Sequence, residues 1–192
     1  MTVQARASLT HKNPRGRIMT LYYRVLRILI AGLLGKKVTF FEPLTRKFQV
    51  LLNDIDLNIH MNNARYLSIM DLGRFDFLVR SGLARFFITE KWQAVLGGVH
   101  IRFRRGLRPF QKYTLTTRIV GLDEKWAYIE QRFDADGQMV AHALARAVFT
   151  IKGKPIPTTE VLKKLGMDPV IKPLSPVLER WKEVDNDLRT SL

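Results

Sequence analysis

The sequence predicts an α+β fold: an antiparallel sheet of five to six strands wrapped around one long central helix, with an extra N-terminal helix and a C-terminal helical extension. Three observations carry this. Helical periodicity runs from Asn63 to Arg80, with Leu67, Met70, Phe77 and Leu78 recurring on an apolar stripe. One strand-like segment precedes it and four follow, separated by turn signals. Strands joined by short turns pair antiparallel, and such a sheet buries the stripe by curling around it.

With 192 residues the chain suffices for one domain with extensions. The expected division is residues 1–37 as basic tail and amphipathic helix, 38–152 as the sheet-and-helix domain, and 153–192 as the C-terminal extension. The chain carries 32 Lys+Arg against 17 Asp+Glu, a net charge of +15. That excess fits an anionic partner or a solvated basic face. Cysteine is absent, which excludes disulfides, thiolate catalysis and cysteine-based zinc sites, and fits a cytoplasmic protein.

The elements follow in order. Residues 1–17 read as a loose tail. Residues 18–35 are apolar but interrupted by Arg24 and Arg27, so they fall short of the roughly 20 uncharged residues that a spanning helix needs. At helical spacing Arg17, Arg24 and Arg27 share one narrow stripe. Two readings fit: a helix lying in a membrane interface, making the protein peripherally membrane-associated, or a helix packed on the protein or a partner copy. Residues 38–52 carry strand formers, and Pro43 favours an edge. Residues 83–90 read as a connector. Strand patterns then occupy residues 92–105, 112–122, 126–133 and 139–151. Turn signals fall at residues 106–109, 121–124 and 134–137. Short helices are expected at 159–165, ended by Gly166, and at 174–190, with Pro176 in the first turn. The sheet's exposed edges predict pairing with a second copy.

The stretch from Asn53 to the start of the central helix alternates. Asp54, Asp56, Asn58 and His60 share one parity, and Ile55, Leu57, Ile59 and Met61 the other. In an extended chain this lines one face with polar groups. Asn62 or Asn63 is a good N-cap for the helix that follows. An acid, an amide and an imidazole are thereby brought to a helix's positive end, where developing negative charge is stabilised. Taken on the residues alone, these groups are read first as satisfying the strand-to-helix turn and its orphan amides. A calcium loop is excluded, because its sixth position would be Ile59 and its twelfth Arg65. No second histidine lies near His60 in sequence, so no metal site is expected. Arg102, Arg104, Arg105, Arg108 and Lys112 cluster around one strand pair and its turn, and fit phosphate binding or a solvated face. Phe103 and Phe110 interleave with them, but strand alternation makes those rings core rather than stacking platforms, so no nucleic-acid partner is expected.

The pattern Asp54-Ile-Asp56-Leu-Asn58-Ile-His60-Met-Asn62-Asn63-Ala-Arg65-Tyr66-Leu67, then Met70-Asp71-Leu-Gly-Arg74 and the later Asp136-Gly137 turn, resembles the hotdog-fold thioesterases. Within them it is most similar to the acyl-CoA thioesterase-like, 4-hydroxybenzoyl-CoA thioesterase group. The resemblance covers about residues 38–151. It implies a cofactor-free acyl-thioester hydrolase working as a dimer or tetramer on acyl-CoA or acyl carrier protein. It implies Asp56 as base or nucleophile. Asn58 and His60 are carried over from the D-x-N-x-H pattern of plant acyl-carrier-protein thioesterases. Asn62, Asn63, Arg102, Arg104 and Arg105 are then the substrate-binding candidates. Those plant enzymes also use a glutamate after the helix; the corresponding residues 104–107 hold no carboxylate. That departure leaves a second reading, a non-catalytic acyl-CoA or lipid-binding module at a membrane surface.

Overall fold

The computed structural model describes residues 15–191, with side chains from Tyr23 onward except that of Arg189. The expected tail, up to residue 14, lies outside the described residues, as does the side chain of Arg17. The elements are α1 (Arg15–Leu34), β1 (Leu44–Gln49), α2 (Asn63–Arg80), α3 (Ala84–Thr89), β2 (Trp92–Phe103), β3 (Lys112–Leu122), β4 (Ala127–Ala135), β5 (Gln138–Ile151), β6 (Lys154–Pro155), α4 (Thr158–Lys164) and α5 (Pro176–Thr190).

The sheet runs in the order β1-β3-β4-β5-β2, all antiparallel, with the two-residue β6 added to β5. Pro43 stands just before the edge strand β1, where its missing N–H breaks no ladder. The sheet curls around α2, which buries Tyr66, Ile69, Met70, Leu72 and Phe77. Gly73 brings helix and sheet close: a Cβ there would come within 2.7 Å of Leu115 and 2.8 Å of the Thr117 hydroxyl. Buried Gln131 spans the gap, donating to the Met70 carbonyl (2.8 Å) and the Thr117 hydroxyl (3.1 Å).

Three local expectations need correction. The connector at 83–90 contains the helix α3, because Phe86 is buried in a stack on Trp92 at 4.8 Å between ring centroids. Gly121 is not a turn residue. It sits inside β3 at a register shift, where a Cβ would meet Leu174 at 2.6 Å and Leu178 at 3.0 Å. The turn follows it, built on Asp123, whose carboxylate accepts from the Lys125 and Trp126 amides. Finally, α1 begins at Arg15, inside the stretch read as tail. The β4–β5 turn at Asp136-Gly137 forms as expected, both residues taking the left-handed conformation that this hairpin requires.

Helix α1 lies against α2. A Cβ on Gly32 would come 2.9 Å from Val79. Arg80 reaches across to the Ala31 carbonyl and, at 2.8 Å, to that of Lys36, satisfying the end of α1. Asp76 holds Arg80 and Arg46 together between the two helices and β1.

Candidate active site

The alternating stretch before α2 is not extended. Residues 52–54 form one 3-10 turn, Ile55 bridges to Met61, and the chain between them turns back on itself. The Asp56 amide donates to the His60 carbonyl (3.0 Å), and the Ile59 amide to that of Asp56 (3.1 Å). Ile59 has φ 59°, a left-handed conformation costly for a β-branched residue, held here by the surrounding turn. The polar groups therefore do not share a face.

Asp54 points inward and is 1% exposed. It takes both terminal nitrogens of Arg24 from α1, at 3.1 and 2.7 Å, together with the Leu51 amide at 2.9 Å. Arg65 lies 3.7 Å away. Every oxygen of this carboxylate is occupied. Asp56 is placed differently. It is half-buried, and one oxygen accepts the Asn58 amide at 2.8 Å, the side-chain turn that aspartate favours. Its second oxygen has no partner among the described residues. Asn58 and His60 are exposed.

Asn62 is the N-cap of α2. Its side-chain oxygen accepts from the Ala64 amide (2.9 Å) and its carbonyl from the Arg65 amide (2.8 Å). The Asn62 amide itself donates to the Asp54 carbonyl. Among the described residues, this leaves the Asn63 amide without a partner at the positive end of an 18-residue helix.

The loop after β2 packs against this turn. The Met61 amide donates to the Leu107 carbonyl at 2.8 Å. A Cβ on Gly106 would sit 2.5 Å from His60 Cδ2 and 2.7 Å from Cγ, so the imidazole lies directly on that glycine. Tyr66 is buried behind it, and burial raises its phenol above the ordinary value although hydrogen bonding to the Leu107 backbone pulls the other way. Arg104 and Arg105 both direct their amides to the Val140 carbonyl. Their side chains and that of Arg102 are exposed and, among the described residues, carry no ion pair. Lys112 stands apart from these arginines and lines a groove beside α1. The His60–Gly106 contact was not legible in the sequence; its signal was a glycine in a short turn between arginines.

Along α2 an apolar pocket of about 120 Å³ opens between the helix and the sheet. Phe75, Leu78, Ala94, Leu96 and Ile129 line it, with Asp71 and Arg74 at its polar side. Arg74 is fixed there by Asp71 and Gln131. Among the described residues, no group of three His, Asp or Glu side chains converges as a metal site.

A sheet curled about a central helix is the fold of the thioesterase-like superfamily. The model of that superfamily matches residues 50–174, and the chain belongs to it. Among its relatives is Protein THEM6 of Danio rerio, 41% identical over 135 residues, a match covering 69% of this chain and 65% of that protein. The long-chain acyl-CoA thioesterase FadM of Escherichia coli is 29% identical over 92 residues, covering 47% of this chain and 70% of that one. The crystal structure of YbaW, a probable thioesterase from Escherichia coli, superposes with a TM-score of 0.60 at 24% identity, covering 67% of this chain and 99% of that chain. The matched stretch spans 42% to 65% of the three THEM6 relatives' own lengths.

Proposed function

We propose that this chain hydrolyses acyl-CoA thioesters, with Asp56 as the base. Hydrolysis needs an activated water, a polarised carbonyl and a departing thiolate, and a thiolate leaves without much assistance. In this reading the open oxygen of Asp56 takes a proton from water as its oxygen attacks the thioester carbon. The Asn63 amide, at the end of the α2 dipole, receives the negative charge that gathers on the carbonyl oxygen. Collapse of the tetrahedral species breaks the carbon–sulfur bond, and the proton held by Asp56 passes to the thiolate or to solvent. Asn58 and His60 flank the attacking water, and Asn62 fixes the helix end. The Arg102, Arg104 and Arg105 side chains receive the phosphates of coenzyme A. The acyl group extends along α2 into the apolar pocket. A second copy of the chain pairs along the free edge of β2, where Val95, Leu96 and Phe103 are exposed beside Leu67 and Phe75 of α2.

The observation that supports this most is that, among the described residues, the turn leaves one Asp56 oxygen open and the helix that follows it leaves the Asn63 amide unclaimed. The superfamily match supports the reaction class, and the name of FadM supports coenzyme A as carrier. The test is release of free thiol from short, long and aromatic acyl-CoAs by the wild type and by Asp56→Asn. Turnover abolished in the variant supports the assignment. Tight acyl-CoA binding with no release by the wild type would make the chain a binding module.

A further inference from the structure

Helix α1 has two faces of different fate. Arg24, Val25, Ile28, Ala31 and Gly32 turn inward. Opposite them, Leu26, Leu29, Ile30, Leu33 and Leu34 stand in solvent, with Leu33 68% and Leu34 83% exposed. Singly exposed aliphatic side chains are ordinary; four leucines and an isoleucine on one face of one helix are not. The arginines read from the sequence as one stripe are divided: Arg24 is drawn inward to Asp54, while Arg27 stays at the flank over the Tyr23 ring. Between α1 and β1 runs a groove of about 500 Å³, lined by Tyr23, Arg27, Lys47 and Lys112 among others. Arg27, Lys47 and Lys112 have no ion pair among the described residues, and Lys37 stands exposed just past the helix.

We infer that the outward face of α1 docks on a bilayer surface carrying anionic headgroups. The leucine face enters the boundary between headgroups and acyl chains, and the cationic groove alongside takes lipid phosphates. No helix among the described residues is long and apolar enough to cross a membrane, so α1 lies in the surface rather than through it. Charge selects this occupant over a second copy of the chain. A two-fold contact through α1 would set each cationic flank against its own image, in a protein of net charge +15. An anionic surface is instead complementary to that flank. Docking does not depend on the hydrolytic reading proposed above.

The test is co-sedimentation of the full chain with phosphatidylcholine vesicles, with and without phosphatidylserine. The wild type is expected in the pellet with the anionic vesicles, and less so as salt is raised. Leu26→Glu with Leu33→Glu should lower the partition by roughly tenfold or more, since each leucine's burial is worth at least that factor. Its far-UV circular dichroism and melting temperature should be unchanged. Lys47→Glu with Lys112→Glu should remove most of the preference for phosphatidylserine. Leu34→Glu alone serves if the double variant misfolds. Three results would overturn the inference: a wild type that stays in the supernatant, undiminished sedimentation of the leucine variants, or leucine variants that change oligomeric mass in sedimentation velocity and leave vesicle binding intact. Thiol release from soluble acyl-CoA by the same variants reads the hydrolytic activity separately.

Discussion

The two ends of α2 each carry an acidic site, and the two are built to opposite specifications. At the carboxyl end Asp76 is wholly buried, and both its oxygens are taken by Arg46 and Arg80. At the amino end Asp56 is half open and accepts one amide. Asp54, two residues away, resembles Asp76 and not its neighbour. A saturated carboxylate among guanidinium groups holds elements together. One with an oxygen left open among the described residues is the one proposed above to act on a bound thioester.

That contrast is open to measurement, and the largest effect belongs to the saturated end. Asp76→Ala leaves two arginines without their counter-charge, one of them buried, and should cost about 3–5 kcal/mol of stability, read by urea denaturation. A small loss would mean the cluster adds little to the fold. Asp56→Asn should do the reverse: a shift within about 0.5 kcal/mol in the same denaturation, but a loss of about a hundredfold or more in thiol release from acyl-CoA. Similar stability losses in the two variants would erase the distinction. Gly106→Ala sharpens the amino end further. Its methyl group must displace the His60 ring, and about tenfold lower turnover with near-native melting is expected if that ring's position matters.

The smallest effect concerns a third carboxylate, on the outer face of the sheet. Burial pushes the Glu130 carboxyl up, but hydrogen bonds from Arg118 and His142 more than reverse this and hold it below its ordinary 4.5. A folded value below the unfolded one gives stability that is present above the unfolded value and lost as pH falls through the folded one. Glu130→Gln should therefore flatten the stability–pH curve only on the acid side of about 4.5, in denaturation series run at stepped pH.

Much of this architecture was legible in the residues. The helix over 63–80 follows from one apolar stripe, an asparagine cap and a following Gly82, which adopts the left-handed conformation expected of a helix stop. The four strands after it follow from alternation and turn chemistry. The turn at Asp54–His60 did not. Strict alternation argued for an extended chain, whereas an aspartate turn and a left-handed Ile59 folded it back. The error matters because it put Asp54 and Asp56 on the same face. What separates them is Arg24, 30 residues earlier, and no local pattern announces a partner at that distance. The same holds for Arg46 with Asp76. Periodicity reveals which face is apolar; it does not say which charges will meet.

The ties that fasten α1 set a limit on how it can be handled. Arg24 is clasped by Asp54, Arg80 closes the helix's last turn, and Gly32 lets it settle on Val79. Trimming the chain to its central domain by cutting before residue 35 would leave the buried Asp54 without Arg24 at one end of α2 and deprive Arg80 of the Ala31 carbonyl near the other. An expression clone designed around residues 38–152 alone should thus yield aggregate, and a shortened version meant for crystallisation has to keep this helix.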